Sequence, residues 1–259
     1  MTSATSNPTR NLQDRVAIVT GASSGIGRAS ALELATRGAR VVAAARRQPE
    51  LEQLVAEIRE GGGEALAVRT DTSRERDIEQ LVAATLAEYG SIDILFNNAG
   101  TEGVFAPLLE QTAETYDQVF EPNVRGVFLM MKHAGRAMLE QGSGTIVNNA
   151  SMGGLIGFEN GALYIASKHA VLGMTKTAAL EWYRSGVRVN ALCPGVIDTA
   201  MPGRIWPSAE AMQEFARASV AGRAGRPEEM AKIVAFLASD DASFISGHGL
   251  VADGGYTIA

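Results

Sequence analysis

Cysteine is almost absent: Cys193 is the single one in 259 residues, so no intrachain disulfide can form and no thiolate cluster can hold zinc. Histidine is nearly as scarce, and His133, His169 and His248 are not spaced to place two ligands on one helix face, so no metal site is expected. An unpaired thiol suits a reducing cytoplasm. Proline is low, with 8 residues against 28 glycines, and 46% of the chain is hydrophobic, which excludes a disordered or collagen-like polymer and leaves a packed globular protein. No apolar run approaches the roughly 18 residues that a membrane span requires. Positive charge is not in excess either: 23 basic against 29 acidic residues give a net charge of -6. General attraction to nucleic acid or anionic lipid is thereby excluded, and any anion must be bound by a local site. Met1 to Asn11 is rich in Ser, Thr and Asn and has no apolar core, so it reads as a flexible tail, neither signal peptide nor anchor, ahead of one domain over residues 12–259.

What is present is alternation. Short apolar runs at Val16 to Val19, Val41 to Ala44, Ala65 to Val68, Ile94 to Phe96, Thr145 to Val147, Val187 to Leu192 and Leu250 to Ala252 lack strict polar alternation, as strands buried on both faces do. Between them lie helical patterns. Leu51, Leu54, Val55 and Ile58 form one, ended by Gly61 to Gly63; Ile78, Leu81, Val82 and Tyr89 form another, for which Thr72 and Glu75 read as a capping box; Met230, Ile233, Val234 and Leu237 form a late one with Pro227 in its first turn. With no repeat and no linker-like break, this order predicts a doubly wound Rossmann-type α/β fold, a seven-stranded parallel sheet with helices on both faces.

Directly after the first strand comes Thr20-Gly21-Ala22-Ser23-Ser24-Gly25-Ile26-Gly27, followed by a helical stretch to Gly38. Gly21 permits a tight exit from the strand, Gly25 a close approach of backbone to a pyrophosphate, and Gly27 close packing of helix on sheet; the helix start adds free N–H groups and partial positive charge. Ser23, Ser24 and Ile26 complete the expected cradle. At the end of the second strand a carboxylate would hold a ribose 2′-hydroxyl, but Ala45, Arg46 and Arg47 stand there. Two guanidiniums can grip a 2′-phosphate, and can equally be solvated strand-end charges. The missing acid favours NADP(H), with NAD(H) and an arginine stacked on adenine as the alternative.

Ser151 follows a strand, and Tyr164-Ile165-Ala166-Ser167-Lys168 opens a helix. Four residues apart, Tyr164 and Lys168 share a face, so the ammonium is expected beside the phenol, lowering its pKa toward working pH and making it a general acid and base. Together with the glycine turn, these residues resemble the short-chain dehydrogenase/reductase family in its single-domain form. Thr20 to Gly27 matches TGxxxGxG, Asn97 to Gly100 matches NNAG, Tyr164 to Lys168 matches YxxxK, and Pro194-Gly195 follows the sixth strand; the match extends from Asp14 to Tyr256. The resemblance implies that Tyr164 exchanges a proton with the substrate oxygen, that Ser151 hydrogen-bonds that oxygen, and that Lys168 binds the nicotinamide ribose. Asn123 would organise a proton-relaying water. It also implies adenine contacts from Asp71 and Thr72, ribose contacts from Asn98, Ala99 and Gly100, a nicotinamide wall at Pro194 and Gly195, and carboxamide contacts from Ile197 and Thr199. A non-catalytic nucleotide sensor on this fold would usually lack the tyrosine or the lysine, and both are here.

Pro122, which removes an N–H before Asn123, and Asn148-Asn149 depart from the family pattern without touching the required groups. Met152, Leu155, Ile156, Phe158, Met201, Trp206 and Phe215 suggest an apolar cavity for a ketone or cyclic alcohol. The resemblance further implies a homotetramer, and the segments Ala113 to Glu140 and Gly161 to Arg184 carry small and apolar residues beyond what one sheet face needs, making Phe128, Met130, Met131, Ala134, Leu172, Thr175, Ala179 and Trp182 interface candidates. Cys193 reads as a buried small residue.

Overall fold

Strands covered by helices on both sides have no polar face, and β1 (Val16–Thr20) is buried at every position. The computed structural model describes residues 11–206 and 208–259; the expected tail, Asn11 apart, lies outside the described residues. In chain order follow α1 (Gly25–Thr36), β2 (Arg40–Ala45), α2 (Gln48–Glu60), β3 (Ala65–Arg69), α3 (Glu75–Tyr89), β4 (Ile94–Asn97), α4 (Ala113–Phe120) and α5 (Val127–Gln141). Then come β5 (Gly144–Asn149), α6 (Ala162–Trp182), β6 (Val187–Pro194), α7 (Pro202–Ile205), α8 (Ala209–Ala216), α9 (Pro227–Ala238) and β7 (Gly249–Ala252). Each of the seven expected strands forms where the apolar runs stand, one or two residues longer at an end. Among the described residues, no helix is long and apolar enough to cross a membrane.

The sheet has the order β3-β2-β1-β4-β5-β6-β7, with every neighbouring pair parallel. Its register sorts the core by alternation. Val19, Phe96 and Val147 lie side by side across β1, β4 and β5 and pack with α1, α2 and α9; Ile18, Leu95 and Ile146, one residue back, point the other way toward α3, α5 and α6. The chain works outward from β1 to β3, then returns to β4 on the other side of β1. At that reversal the connections leave in opposite directions, opening a crevice at the carboxyl ends of the strands, where this architecture binds ligands.

Two expectations are corrected, and the departure at Pro122 is accommodated. Thr72 does not cap α3: the chain makes one further turn, Arg74 takes the cap position without a side-chain bond, and Asp71 holds the turn by accepting from the Ser73 N–H and hydroxyl at 3.1 and 2.7 Å. Glu75 instead reaches Lys132 and His133 on α5, at 2.8 and 2.9 Å. Pro122 does not break the helix before Asn123, because residues Glu121–Gly126 widen into a π turn that carries α4 into α5 and accommodates the missing N–H. Among the proposed interface residues, Met130, Met131, Ala134, Leu172, Thr175 and Ala179 are buried in the chain's own core, and Trp182 is half-buried against Gly135; Phe128 is exposed.

Phe96 is wholly buried at the centre of the sheet. Phe96→Ala is therefore expected to cost about 3–5 kcal/mol, read as a lowered denaturant midpoint with an unchanged slope.

Candidate active site

The turn after β1 is shaped by what cannot be there. Gly21 and Gly25 have φ of +65° and +55°, a region open to glycine, and a Cβ on Gly27 would fall 2.3 Å from the Gly21 carbonyl oxygen. Ser24 caps α1 in an extended conformation without a side-chain bond, and no acidic residue stands in the first turn. The leading N–H groups of α1 thus remain free for an anion. Ser23, Ser24, Gly25 and Ile26 border a cleft of about 1140 Å³, long enough to run from the end of β2 to the start of α6.

The two arginines are not equivalent. Arg47 donates to the Ser23 hydroxyl at 3.0 Å and pairs with Glu50 at 2.9 Å, which ties it to its own turn. Arg46 is exposed on the cleft wall and has no hydrogen bond or ion pair among the described residues. Across from it, burial pushes the Asp71 carboxyl up, but hydrogen bonds from Ser73 and the cations of Arg46 and Arg74 outweigh this and hold it below the ordinary carboxylate value. Thr72, Asn98, Ala99, Gly100, Pro194, Gly195, Ile197 and Thr199 also line the cleft. Gly27 lies behind the wall, where its function is packing. The free amides, the unpaired guanidinium and the approach left open by the absent side chains at Gly21 and Gly25 fit a nicotinamide dinucleotide.

At the other end, Ser151, Tyr164 and Lys168 share the same wall. Ser151 leaves β5 in an extended conformation, and its hydroxyl accepts from the Gly153 N–H at 3.0 Å, so it both caps a short turn and presents an oriented O–H. Lys168 is buried, and its ammonium donates to the Asn149 carbonyl at 2.9 Å. That contact is to backbone, which any residue at position 149 would offer; the Asn149 side chain itself donates to Asn98 at 2.9 Å. Lys168 Nζ lies 5.5 Å from the centre of the Tyr164 ring. Burial pushes the Tyr164 phenol up, hydrogen bonding with Ser151 draws it down, and the charge of Glu102 adds to the rise, leaving the phenol above its ordinary value. Cys193 is buried, and that burial pushes its thiol up to about 11, away from nucleophilic use.

Asn123 is fully buried behind this wall. Its side chain accepts from the Thr101 N–H and donates to the Thr101 carbonyl, both at 2.8 Å, and donates to the Ser167 hydroxyl at 3.1 Å; Ser167 in turn donates to the Tyr164 carbonyl. The π turn thereby fastens the loop after β4 to the helix that carries the tyrosine. Met152, Phe158, Met201, Trp206 and Phe215 form the apolar side of the cleft, with Phe158, Trp206, Phe215 and Tyr256 in mutual aromatic contact. Leu155 and Ile156 are not on it; Leu155 points to solvent. Sequence reasoning missed Phe105, Glu159, Arg204 and Ile205 on the wall and Glu102 beneath it. Glu102, Phe105 and Glu159 sit in loops and Arg204 and Ile205 on the four-residue α7, too short to show a period; only a position relative to NNAG marked the first segment.

Residues 21–257 match a sequence family described as enoyl-(acyl carrier protein) reductase. Levodione reductase of Leifsonia aquatica is 40% identical over 264 residues, covering 99% of both chains, and the solved levodione reductase structure superposes with a TM-score of 0.92 over 95% of this chain and 99% of the other. Cyclohexanol dehydrogenase of an Acinetobacter species is 40% identical over 94% of this chain and 95% of its own. A solved structure from Beutenbergia cavernae holding NADP at low occupancy is 39% identical, with a TM-score of 0.91 over 97% of this chain and all of that one, 100%.

Burial pushes the Lys168 ammonium from its ordinary 10.5 down to about 8. Between these values the unfolded chain keeps a proton that the folded one has shed, so this group makes stability rise with pH across that window and weigh against folding below it. Lys168→Met is expected to raise the stability of the cofactor-free protein near pH 7, by at most about 3 kcal/mol. That advantage should shrink steadily toward pH 10.5 in melting experiments at stepped pH; a pH-independent difference would place the ammonium in a solvated setting.

Proposed function

Because the chain belongs to the short-chain dehydrogenase/reductase family, and is an oxidoreductase acting between CH–OH and C=O, we propose that it interconverts an apolar ketone and its secondary alcohol with NADP(H). The observation that supports this best is the meeting of Ser151, Tyr164 and Lys168 in one cleft with a glycine turn whose amides are free. The relatives named for levodione and cyclohexanol chemistry, and the aromatic and methionine wall, favour a ring-shaped carbonyl compound as substrate.

Several residues would hold the dinucleotide. The amides of Ser23 to Ile26 would take the pyrophosphate, Arg46 the 2′-phosphate, Asp71 and Thr72 the adenine, Asn98 to Gly100 its ribose, and Ile197 with Thr199 the carboxamide. When bound, the nicotinamide supplies hydride exchange with the substrate carbon. Everything else falls to the chain. The Tyr164 hydroxyl gives its proton to the carbonyl oxygen in reduction and takes it back in oxidation. Ser151 donates to the same oxygen, oriented by the Gly153 amide. Lys168, anchored on the Asn149 carbonyl, would move onto the nicotinamide ribose and supply the nearby positive charge that eases ionisation of a phenol held high by burial. Asn123 holds the Thr101 backbone and, through Ser167, the turn that bears the tyrosine, and would order the water that returns protons to Lys168.

Tyr164→Phe is expected to cut turnover by several orders of magnitude while leaving cofactor affinity within a few-fold, because only the proton donor is lost. Fluorescence titration with NADPH beside steady-state rates checks both. For the cofactor, Arg46→Ala should weaken NADPH binding by roughly tenfold to a hundredfold and leave NADH nearly unchanged, the value of one charge-assisted contact. Arg47→Ala should do less, since Arg47 is already held by Ser23 and Glu50. The pair Ala45→Asp, Arg46→Ala should reverse the ratio of kcat/KM for the two cofactors; a native preference for NADH would sink the assignment. We also propose that the chain forms a homotetramer, using apolar side chains that its own core leaves exposed, Phe128, Leu180 and Phe244 among them. Light scattering at micromolar concentration should give the mass of four chains, and a monomeric mass would contradict this.

A further inference from the structure

Among the described residues, the cations on the cleft wall are Arg46, Arg47, Lys168 and Arg204. The first two stand at the end of β2, where the nucleotide would lie, and Lys168 serves the tyrosine. Arg204, on α7, shares its stretch of wall with Met201, Ile205 and Trp206, and is thus the cation on the substrate side. Its charge is already taken. Nε and Nη2 grip both oxygens of Glu102, the Nη2–Oε2 distance being 3.0 Å, and Nη1 is turned to the Ala200 carbonyl. Glu102 is 6% exposed and has no other hydrogen-bond partner among the described residues. It is also fixed in place, since the neighbouring Thr101 backbone is clamped on both sides by Asn123.

From this pairing we infer that Glu102 and Arg204 form a specificity element that makes the substrate site reject carboxylates and accept neutral ring ketones. A substrate carboxylate could recruit the guanidinium fork only by stripping it from Glu102, which would leave a buried carboxylate unpaired. It would also meet like charge from Glu102 and from Glu159 on the same wall. The free edge of Arg204 offers single bonds, not the forked pair that makes guanidinium–carboxylate recognition strong. A neutral ketone meets neither penalty and buries its ring against the aromatic and methionine side chains. The pair therefore acts through charge pairing outside the reacting atoms, and the inference rests on the ketone-reductase reading above.

The test uses two ketones of nearly the same shape, 4-oxocyclohexanecarboxylate and its methyl ester, assayed with the full-length protein and saturating NADPH or NADH. The native protein should favour the ester in kcat/KM by about tenfold or more. Glu102→Gln keeps the shape and removes the competing charge, so it should raise the acid-to-ester ratio by about tenfold, mainly through KM of the acid. The double variant Glu102→Gln, Arg204→Met should return the ratio to the native side, because the released guanidinium is gone. A native protein that uses the acid as well as the ester overturns the inference, as does a Glu102→Gln ratio that does not move. Competitive inhibition of the native protein by cyclohexanecarboxylate against its methyl ester probes the same discrimination without any variant: comparable inhibition constants overturn it, and a much weaker acid supports it. Failure to turn over either ketone, cyclohexanone or cyclohexanol counts instead against the underlying ketone-reductase reading.

Discussion

At the carboxyl ends of the central strands one run of hydrogen bonds crosses from the glycine turn to Lys168. The Thr20 hydroxyl accepts from the N–H groups of Asn98 and Ala99; the Asn98 amide donates back to the Thr20 carbonyl; Asn149 donates to the Asn98 side chain; and Lys168 donates to the Asn149 carbonyl. These residues come from the ends of β1, β4 and β5 and from α6, whose sequence positions are far apart. Strand pairing sets the ends level, but the side-chain bonds set the sideways spacing between turn and lysine. The close approach of Gly21 and Gly27 to Asn98, where a Cβ would fall 2.7 and 2.6 Å from its amide nitrogen, belongs to the same constraint. With any larger side chain at those glycines the run would be pushed apart, and with it the distance over which a dinucleotide must stretch.

Burial gives this site its character at a cost in stability. A lysine sunk into the core beside one carbonyl has its ammonium driven toward neutrality, and a phenol in the same surroundings is driven away from its anion. Both shifts disfavour the charged forms of the two groups. Glu102 is buried as well, but has a partner: Arg204 reaches in from α7 and takes both of its oxygens.

The core illustrates how little of this demanded special residues. Val19, Phe96 and Val147 on one side and Ile18, Leu95 and Ile146 on the other do no more than alternate, and the register places each trio in line across three strands. Where the chain must depart from regularity, at Pro122, it widens by a π turn instead of breaking. That widening brings Asn123 inward between the loop after β4 and α6, joining two segments that carry site residues.

Much of this was determined by the sequence itself, because local rules sufficed. Seven apolar runs became seven strands, since a run buried on both faces has no other stable place. The glycine turn formed its cradle, because only glycine permits those backbone angles and contacts, and Tyr164 and Lys168 fell on one face because a helix repeats every 3.6 residues. Tertiary structure decided what depends on neighbours distant in the chain. Thr72 lost its cap to an Asp71 turn; six expected interface residues became core; Arg47 was drawn to Ser23 while Arg46 stayed free; and Glu102 met Arg204 across 102 residues of sequence. No spacing rule encodes such meetings, since the partner of a charge is chosen by where the folded chain puts it.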